Sequence, residues 1–249
     1  MERHNAGIIA LRRDFFASSA SPGRITPVVQ SFLRPLQSKL PVEEYTVSSR
    51  CYLSRALERL KAGEAESLFY AAFELRCGIE ARLQEYLHPH EFIPLRQRNE
   101  WRARKLHRTT EKSFHIGDRV QRVRIYEDGA LLFTLYYVPV TSRLKTIAER
   151  LGDYLHVAKK YHPPTHEYWT QLRELLTEGA DLLTDAAAGT MLGPLLIESA
   201  TGLAQMPLEM PPEEPHRSAQ RLRDLKGKPL EVEVSYHQSL AEAKAQDTQ

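Results

Sequence analysis

Apolar residues recur at helical spacing in two separate parts of the chain. Residues 48–61 and 64–87 each carry an apolar stripe with a period near 3.6 residues, which predicts two amphipathic helices. Gly63 separates them after only a Lys-Ala pair, so we expect an antiparallel helical hairpin. Residues 142–160 and 165–188 repeat the pattern and predict a second helix pair.

Between the two helix pairs the hydrophobic period changes from helical to extended. β-Prone residues flank Asp128-Gly129 within 120–138, and Asp-Gly is the preferred centre of a tight hairpin turn. We therefore predict a β-hairpin inserted at 119–139. Residues 230–236 alternate as LEVEVSY, which predicts a further strand that can join this hairpin in a three-stranded sheet.

The two ends of the chain have weaker patterns. Residues 7–16 and 27–40 are predicted to form short helices. The Pro- and Glu-rich composition after residue 203 is typical of a linker, with a short helix predicted at 216–226. Residues 239–249 are expected to be frayed.

The predicted fold class is mainly α. A helical bundle over residues 1–202 would carry the small antiparallel β-hairpin or sheet element between its helix pairs, and residues 203–249 would follow as a tail. A chain of 249 residues with 42% hydrophobic and 27% charged residues can form a substantial core, which excludes a wholly disordered protein. Only 2 Cys exclude a disulfide framework, and no apolar run is long enough to cross a bilayer, so we expect a cytoplasmic protein that does not enter membranes.

Positive charge is concentrated in the middle of the chain. Ten Lys and Arg residues against three acids lie between Arg96 and Arg124, although the net charge of the whole chain is only +2. Trp101 lies within this segment. Such a stripe favours RNA or another polyanion as a partner, whereas a solvated surface is the alternative interpretation. The candidate nucleic-acid-binding residues are Arg96, Arg98, Arg102, Arg104, Lys105, Arg108, Arg122 and Arg124.

An ionic pair is predicted inside the apolar stripe of the second helix. Arg76 and Glu80 are four residues apart, so their side chains can meet along one helix face. A pair at the edge of a core clamps helices together or shapes a polar cleft.

Two short segments of the chain resemble each other and each carries an Arg and a His. Arg82 and His88 delimit RLQEYLH, and Arg150 and His156 delimit RLGDYLH. Metal-independent RNA cleavage needs a group that exchanges protons near neutral pH, which His supplies, and a cation that holds the phosphate, which Arg supplies. Arg150 with His156 is the first candidate catalytic pair, and Arg82 with His88 is the second.

No metal or cofactor site is predicted. His156, His162, His166 and Glu167 are close in sequence, but two prolines separate His162 from His166, so loop histidines are a better interpretation than a zinc site. Phosphate-binding loops, dinucleotide-binding fingerprints and serine-hydrolase elbows are also lacking from the sequence.

The stretch from Tyr52 to His88, especially SLFYAAFELRCGIEARLQEYL, resembles the central helical hairpin of HEPN-type bundles. The resemblance covers about a third of the chain, namely 48–88 and part of 142–188. It implies a small helical protein, commonly dimeric, that is either a ribonuclease of a toxin or antiviral defence system or a non-catalytic binding module. Arg150 and His156 match the family's Arg-to-His spacing, and Leu151 replaces the polar residue that usually follows this Arg.

Two functional hypotheses follow from these observations. The first is a HEPN-like module that binds nucleic acid or a protein partner, including a second copy of itself. The alternative is a metal-independent endoribonuclease that uses an Arg-x5-His pair.

Overall fold

A computed structural model describes most of the chain. The chain forms two compact units, which we call the helical unit (40–118 and 139–188) and the β-rich unit (1–39, 119–138 and 189–249). The described residues are 6–13, 27–32, 46–156, 162–163, 165–197, 204–209 and 230–247.

Six described helices form the helical unit. They are α1 (Ser49–Ala62), α2 (Ala65–Leu87), α3 (Leu95–Arg98), α4 (Ala103–Phe114), α5 (Ser142–Leu155) and α6 (Glu167–Ala187). The predicted helix pairs are therefore confirmed, with α5 ending at Leu155. Residues 157–160 of the predicted helix lie outside the described residues.

The first helix pair is an antiparallel hairpin, as predicted. Gly63 adopts a left-handed conformation with φ of 78° and ends α1. The Ser49 backbone N–H donates to the Glu85 carboxylate at 2.8 Å, and the Arg55 guanidinium donates to Glu74 at 2.9 Å. These contacts join the start of α1 to the end of α2 and the middle of α1 to the middle of α2.

Small residues let the other helices approach α2 closely. A Cβ added at Gly179 in α6 would lie 2.9 Å from both Ile147 and Leu75, so α5, α6 and α2 meet there without space for a methyl group. At Gly152 in α5 the nearest atom would be the end of the flexible Arg76 side chain, at 3.0 Å. Thr141 and His166 cap α5 and α6 by accepting from backbone N–H groups.

The β-hairpin and its third strand are confirmed in the β-rich unit. β3 (Val120–Glu127) pairs on one side with β4 (Ala130–Tyr137) and on the other with β7 (Glu231–His237). Asp128 and Gly129 have φ of 50° and 80°, which is the positive-φ pair that a type I′ turn requires. The short helix α7 (Leu240–Ala245) covers one face of this sheet, where Val120, Tyr136, Val138, Leu240 and Ala243 form a buried cluster.

The predicted helices at 7–16 and 27–40 are wrong where the structure describes them. β1 (Ala6–Arg13) and β2 (Pro27–Phe32) are antiparallel strands of a second sheet with the order β2-β1-β6-β5. β5 is Leu196–Ile197 and β6 is Ala204–Glu209. Short apolar runs do not distinguish a helix from a strand by their period. One of the two strand partners of β1, β6, is almost 200 residues away in sequence.

The basic segment forms α3 and α4, and between them the Glu100 carboxylate accepts from the N–H groups of Trp101 and Arg102. Two differences from prediction concern segments with weak patterns. Residues 204–209 form a strand within the expected linker, and 240–245 form a helix within the expected frayed end. The predicted helix at 216–226 and the predicted domain boundary at 202/203 lie outside the described residues. The mainly α fold class with an inserted antiparallel sheet is confirmed.

Candidate nucleic-acid interface

Helix α4 has one buried face and one cationic face. Leu106, His107, Thr110 and Phe114 are buried against the helical unit. Successive residues of a helix are rotated by 100° around its axis. On this basis four cations lie on the side of α4 opposite the buried face, within about 100° of its centre, and all four are exposed. They are Arg104, Lys105, Arg108 and Lys112.

The start of α4 is fixed by the predicted pair of Arg76 and Glu80. The Arg76 Nε donates to the Glu80 carboxylate at 3.3 Å, so the pairing is confirmed. Glu80 also accepts from the backbone N–H of Ala103, the first residue of α4. Burial raises the pKa of Glu80, and the nearby Arg76 opposes this shift only in part. The pair therefore joins α2 to the first turn of α4.

Trp101 lies just before α4, where the carboxylate of Glu100 holds the backbone in place. That carboxylate accepts from the Arg102 guanidinium at 3.0 and 3.1 Å, and this hydrogen bonding is the main reason that its pKa falls to about 2. The Arg102 guanidinium lies 5.5 Å from the centre of the Trp101 ring, and the Trp101 side chain remains 62% exposed. Arg102 is therefore largely neutralised, whereas the indole remains accessible to a ligand.

The cations of α4 differ in how well carboxylates neutralise them. Lys105 lies 3.5 Å from Glu100, and Arg104 lies 3.9 Å from Glu149 across a solvent-exposed gap. Within the described part of the chain, no carboxylate pairs with Arg108 or Lys112. The least compensated cations therefore lie on the second and third turns of the helix, where Glu111 lies 3.3 Å from His107.

The two predicted cations of α3 have different environments. Arg98 donates to the backbone carbonyls of Ile93 and His88 at 2.9 and 3.1 Å, so it stabilises the connection between α2 and α3. Arg96 is exposed on the same short helix.

Arg122 and Arg124 belong to the β-rich unit and are bound by its own acids. Arg122 is 5% exposed, and its guanidinium lies 3.1 Å from Asp247. Arg124 lies 3.7 Å from Asp247 and 4.0 Å from Glu233. The Tyr136 hydroxyl donates to the same Asp247 carboxylate. The single basic stripe predicted from Arg96 to Arg124 is thus divided, because the strand residues are compensated within their own sheet.

The two residues of the second candidate catalytic pair differ in their exposure to solvent. Arg82 is fully buried, and its guanidinium donates to Glu85 at 3.1 Å and to the Ala186 carbonyl at 2.9 Å. His88 is exposed at the end of α2. A buried guanidinium that binds protein acceptors cannot also receive a phosphate, so the structure gives Arg82 a packing role.

The first candidate pair lies at the end of α5. Arg150 is exposed on the last two turns, and the exposed His156 ends the helix in an extended conformation with φ of −75° and ψ of 161°. The catalytic roles of Arg150 and His156 stay predictions.

The remaining histidine cluster forms an aromatic stack at the start of α6. His162 stacks on Tyr168 with ring centroids 4.2 Å apart, and its ring lies 4.7 Å from that of His166. The His166 Nδ1 accepts from the Tyr168 N–H, which makes it a helix cap. Among the residues that the structure describes, no group of three or more His, Cys, Asp or Glu is arranged to hold a metal ion.

Two polar networks were not predicted from the sequence. Ser49 and Glu85 complete the buried network around Arg82, and nothing in their spacing of 36 residues indicates contact. Ser235 and His237 form a second network in β7. Their alternation in LEVEVSYH places them on one strand face, so the signal for this contact was present in the sequence.

Comparisons with known proteins give no match to this chain among protein-family models, curated proteins or solved structures. The resemblance to HEPN-type bundles therefore stays a prediction. None of the described helices has both the length and the apolar character that crossing a bilayer requires.

Proposed function

We propose that the protein binds single-stranded RNA through α4 and Trp101. The observation that carries the proposal is the cationic face of α4, where Arg108 and Lys112 lack carboxylate partners within the described residues. Lys and Arg side chains bind phosphates by releasing condensed counterions. An exposed indole beside them offers a surface on which an unpaired base can stack.

The choice of a single strand rests on Trp101. A duplex hides its base faces, so it would use the cations but not the indole. The resemblance to HEPN-type bundles predicts the same class of ligand. The proposal places the protein in the cytoplasm, where RNA is available and the free thiols of Cys51 and Cys77 stay reduced.

The test is fluorescence anisotropy with a labelled single-stranded RNA, measured at several salt concentrations. We expect Arg108→Ala to weaken binding and to lower the dependence of log K on log salt by about 0.7, because one phosphate contact is lost. Lys61→Ala is the matched control, since Lys61 is an exposed cation on α1, and it should leave both quantities unchanged. Equal effects of the two substitutions would contradict the proposal.

The stacking role is tested with two exposed aromatic residues. Trp101→Ala should cost about 1–3 kcal/mol of RNA binding, the range for one stacked base. Tyr70→Ala is the control, because Tyr70 is 52% exposed on α2 and has a cation, Arg59, 5.4 Å from its ring. If single-stranded and duplex RNA bind equally well and Trp101→Ala has no effect, the ligand is a polyanion without stacked bases.

The ribonuclease alternative is tested in the same samples. Cleavage of the RNA in EDTA that disappears in both Arg150→Ala and His156→Ala would assign catalysis to this pair. Binding without cleavage would leave a binding module.

Protein docking is a second candidate function, favoured by the apolar side chains before α4. Phe92 and Leu95 are 56% and 62% exposed and lie beside Arg96, and apolar residues next to Arg are typical of protein interfaces. If two copies pair through this surface, Leu95→Ser should abolish the dimer in sedimentation velocity and leave RNA affinity unchanged. A wild-type protein that sediments as a monomer at all concentrations would exclude the homodimer.

A further inference from the structure

A hydroxyl, an imidazole and a carboxylate form a chain of contacts in the β-rich unit. Ser235 and His237 are two residues apart on β7 and lie on the same face of the strand. The Ser235 Oγ is 2.9 Å from the His237 Nε2. On the other side of the ring, the His237 Nδ1 is 3.8 Å from the Glu242 carboxylate in α7. This is the order of nucleophile, base and orienting acid in serine hydrolases.

Neighbouring donors determine where the hydroxyl proton lies. The Arg122 Nε donates to the Ser235 Oγ at 3.1 Å, and Arg122 has no capacity to accept. The Ser235 O–H is therefore left to donate to the His237 Nε2. A neutral imidazole that accepts at Nε2 carries its proton on Nδ1, where Glu242 lies.

The acid and the base are both held in place. His237 is 5% exposed, so its ring is fixed between the sheet and α7. The other oxygen of the Glu242 carboxylate accepts from the backbone N–H of Gln238 at 2.8 Å. This bond and the cap of α7 by Ser239 set the position of the carboxylate relative to the imidazole.

Arg122 places a fixed N–H donor at the reacting oxygen, while Asp247 compensates its charge. Its guanidinium is held by the Ala243 carbonyl at 3.3 Å and by Asp247 at 3.1 Å. A preorganised N–H donor beside an oxygen stabilises the negative charge that develops there. Ser235 is only partly buried, and β7 is an edge strand of the three-stranded sheet.

We propose that Ser235 is a nucleophile that accepts acyl groups from small carboxylic esters, with His237 as its base. The Oγ attacks the ester carbonyl carbon as its proton passes to the His237 Nε2. The bond to the alcohol oxygen then breaks, and His237 returns the proton to the leaving alkoxide. Water repeats the same steps on the acyl-Ser235, releasing the carboxylic acid and restoring the serine. This activity is independent of RNA binding by α4.

The test uses the full-length protein and a fluorophosphonate probe, which forms a bond from phosphorus to an activated serine oxygen and releases fluoride. We expect one adduct per chain by intact mass, mapped to Ser235 by peptide sequencing, and hydrolysis of p-nitrophenyl acetate. His237→Gln should slow labelling by about 10²-fold or more, which is the range for loss of a general base. Glu242→Gln should slow it by a smaller factor. Ser54→Ala changes an exposed serine of α1 and should label at the wild-type rate.

Circular dichroism separates loss of chemistry from loss of folding. If His237→Gln melts well below the wild type, Glu242→Gln on the rim of the site provides the comparison. The absence of an adduct at Ser235, while a known serine hydrolase in the same tube is fully labelled, would overturn the proposal. So would an adduct on another residue, or equal labelling rates for the wild type and a folded His237→Gln variant.

Discussion

The buried ion pair of α2 offers a stringent test of how the helical unit is stabilised. Arg82 is 0% exposed and Glu85 is 4% exposed, and their side chains are 3.1 Å apart. The Glu85 carboxylate also accepts from the Ser49 N–H at 2.8 Å and from the Ser49 hydroxyl at 2.6 Å. Glu85→Gln preserves the size of the side chain, removes the negative charge and replaces one accepting oxygen with an amide donor.

The expected cost follows from the charge that remains. The Arg82 guanidinium stays buried but loses the Glu85 carboxylate, and removal of one member of a buried ion pair destabilises proteins by about 3–5 kcal/mol. That is a large fraction of the stability of an ordinary domain, about 5–15 kcal/mol. A second substitution, Arg82→Met, removes the buried positive charge, so the double variant should be more stable than the Glu85→Gln variant alone.

Urea unfolding followed by circular dichroism measures the free energies. Glu74→Gln is the matched control, because it breaks a pair on the same hairpin, Arg55 with Glu74, whose side chains are 23% and 13% exposed. The control should cost about 1 kcal/mol or less. If Glu85→Gln and Glu74→Gln are equally destabilising, the buried charge is compensated by something other than Glu85 and our reasoning is wrong.

Three further predictions concern helix contacts, pH and thiol chemistry. Gly179→Ala should destabilise the protein by about 1–3 kcal/mol in urea unfolding because its Cβ has no space, whereas Gly152→Ala faces only a flexible side chain and should be neutral or stabilising. Burial raises the pKa of Glu80 above its ordinary value of 4.5, so between these two pKa values the native state binds more protons than the unfolded state. The protein therefore loses stability as the pH rises from 4.5 through the raised pKa. Glu80→Gln removes this loss, so the variant should gain stability relative to the wild type between about pH 4 and about pH 7; a constant difference would contradict this. Burial, assisted by nearby carboxylates, raises the pKa of Cys77 to about 11. Iodoacetamide at about pH 8 should therefore alkylate the Cys77 thiol at a rate roughly tenfold or more below its rate with the thiol of glutathione in the same tube. Mass spectrometry of the Cys77 peptide measures this rate, and denaturant should abolish the difference.

Periodicity predicted the elements whose stabilising contacts are local. The helix pairs were recognised because a one-sided apolar stripe has a helical period, and Gly63 marked the turn between α1 and α2. Asp128-Gly129 marked the hairpin because few other residue pairs tolerate two positive φ angles. β1 and β2 were predicted as helices, since a short apolar run does not show which strand it will pair with.

The residue types of the candidate interface were predicted from the sequence, and the structure corrected which of these residues belong to it. The sequence identified a cationic segment with an embedded tryptophan, and the structure leaves Arg104, Lys105 and Arg108 exposed on one helix face. Arg122 and Arg124 carry the same charge in the sequence, but Asp247 and Glu233 neutralise them. Those acids are more than 100 residues away in the chain, and only β7 and the segment after α7 bring them close.

By itself, the sequence determined which segments are amphipathic, where tight turns occur and where positive charge accumulates, because these properties depend on neighbours within a few residues. Tertiary structure alone decided which charged groups are buried, which are paired and which remain available. Arg82 and Arg108 are the same residue type and both lie on helices, yet one is enclosed with Glu85 and the other faces solvent. The difference arises because burial and pairing depend on contacts between distant segments, and those contacts form only when the helices and strands pack.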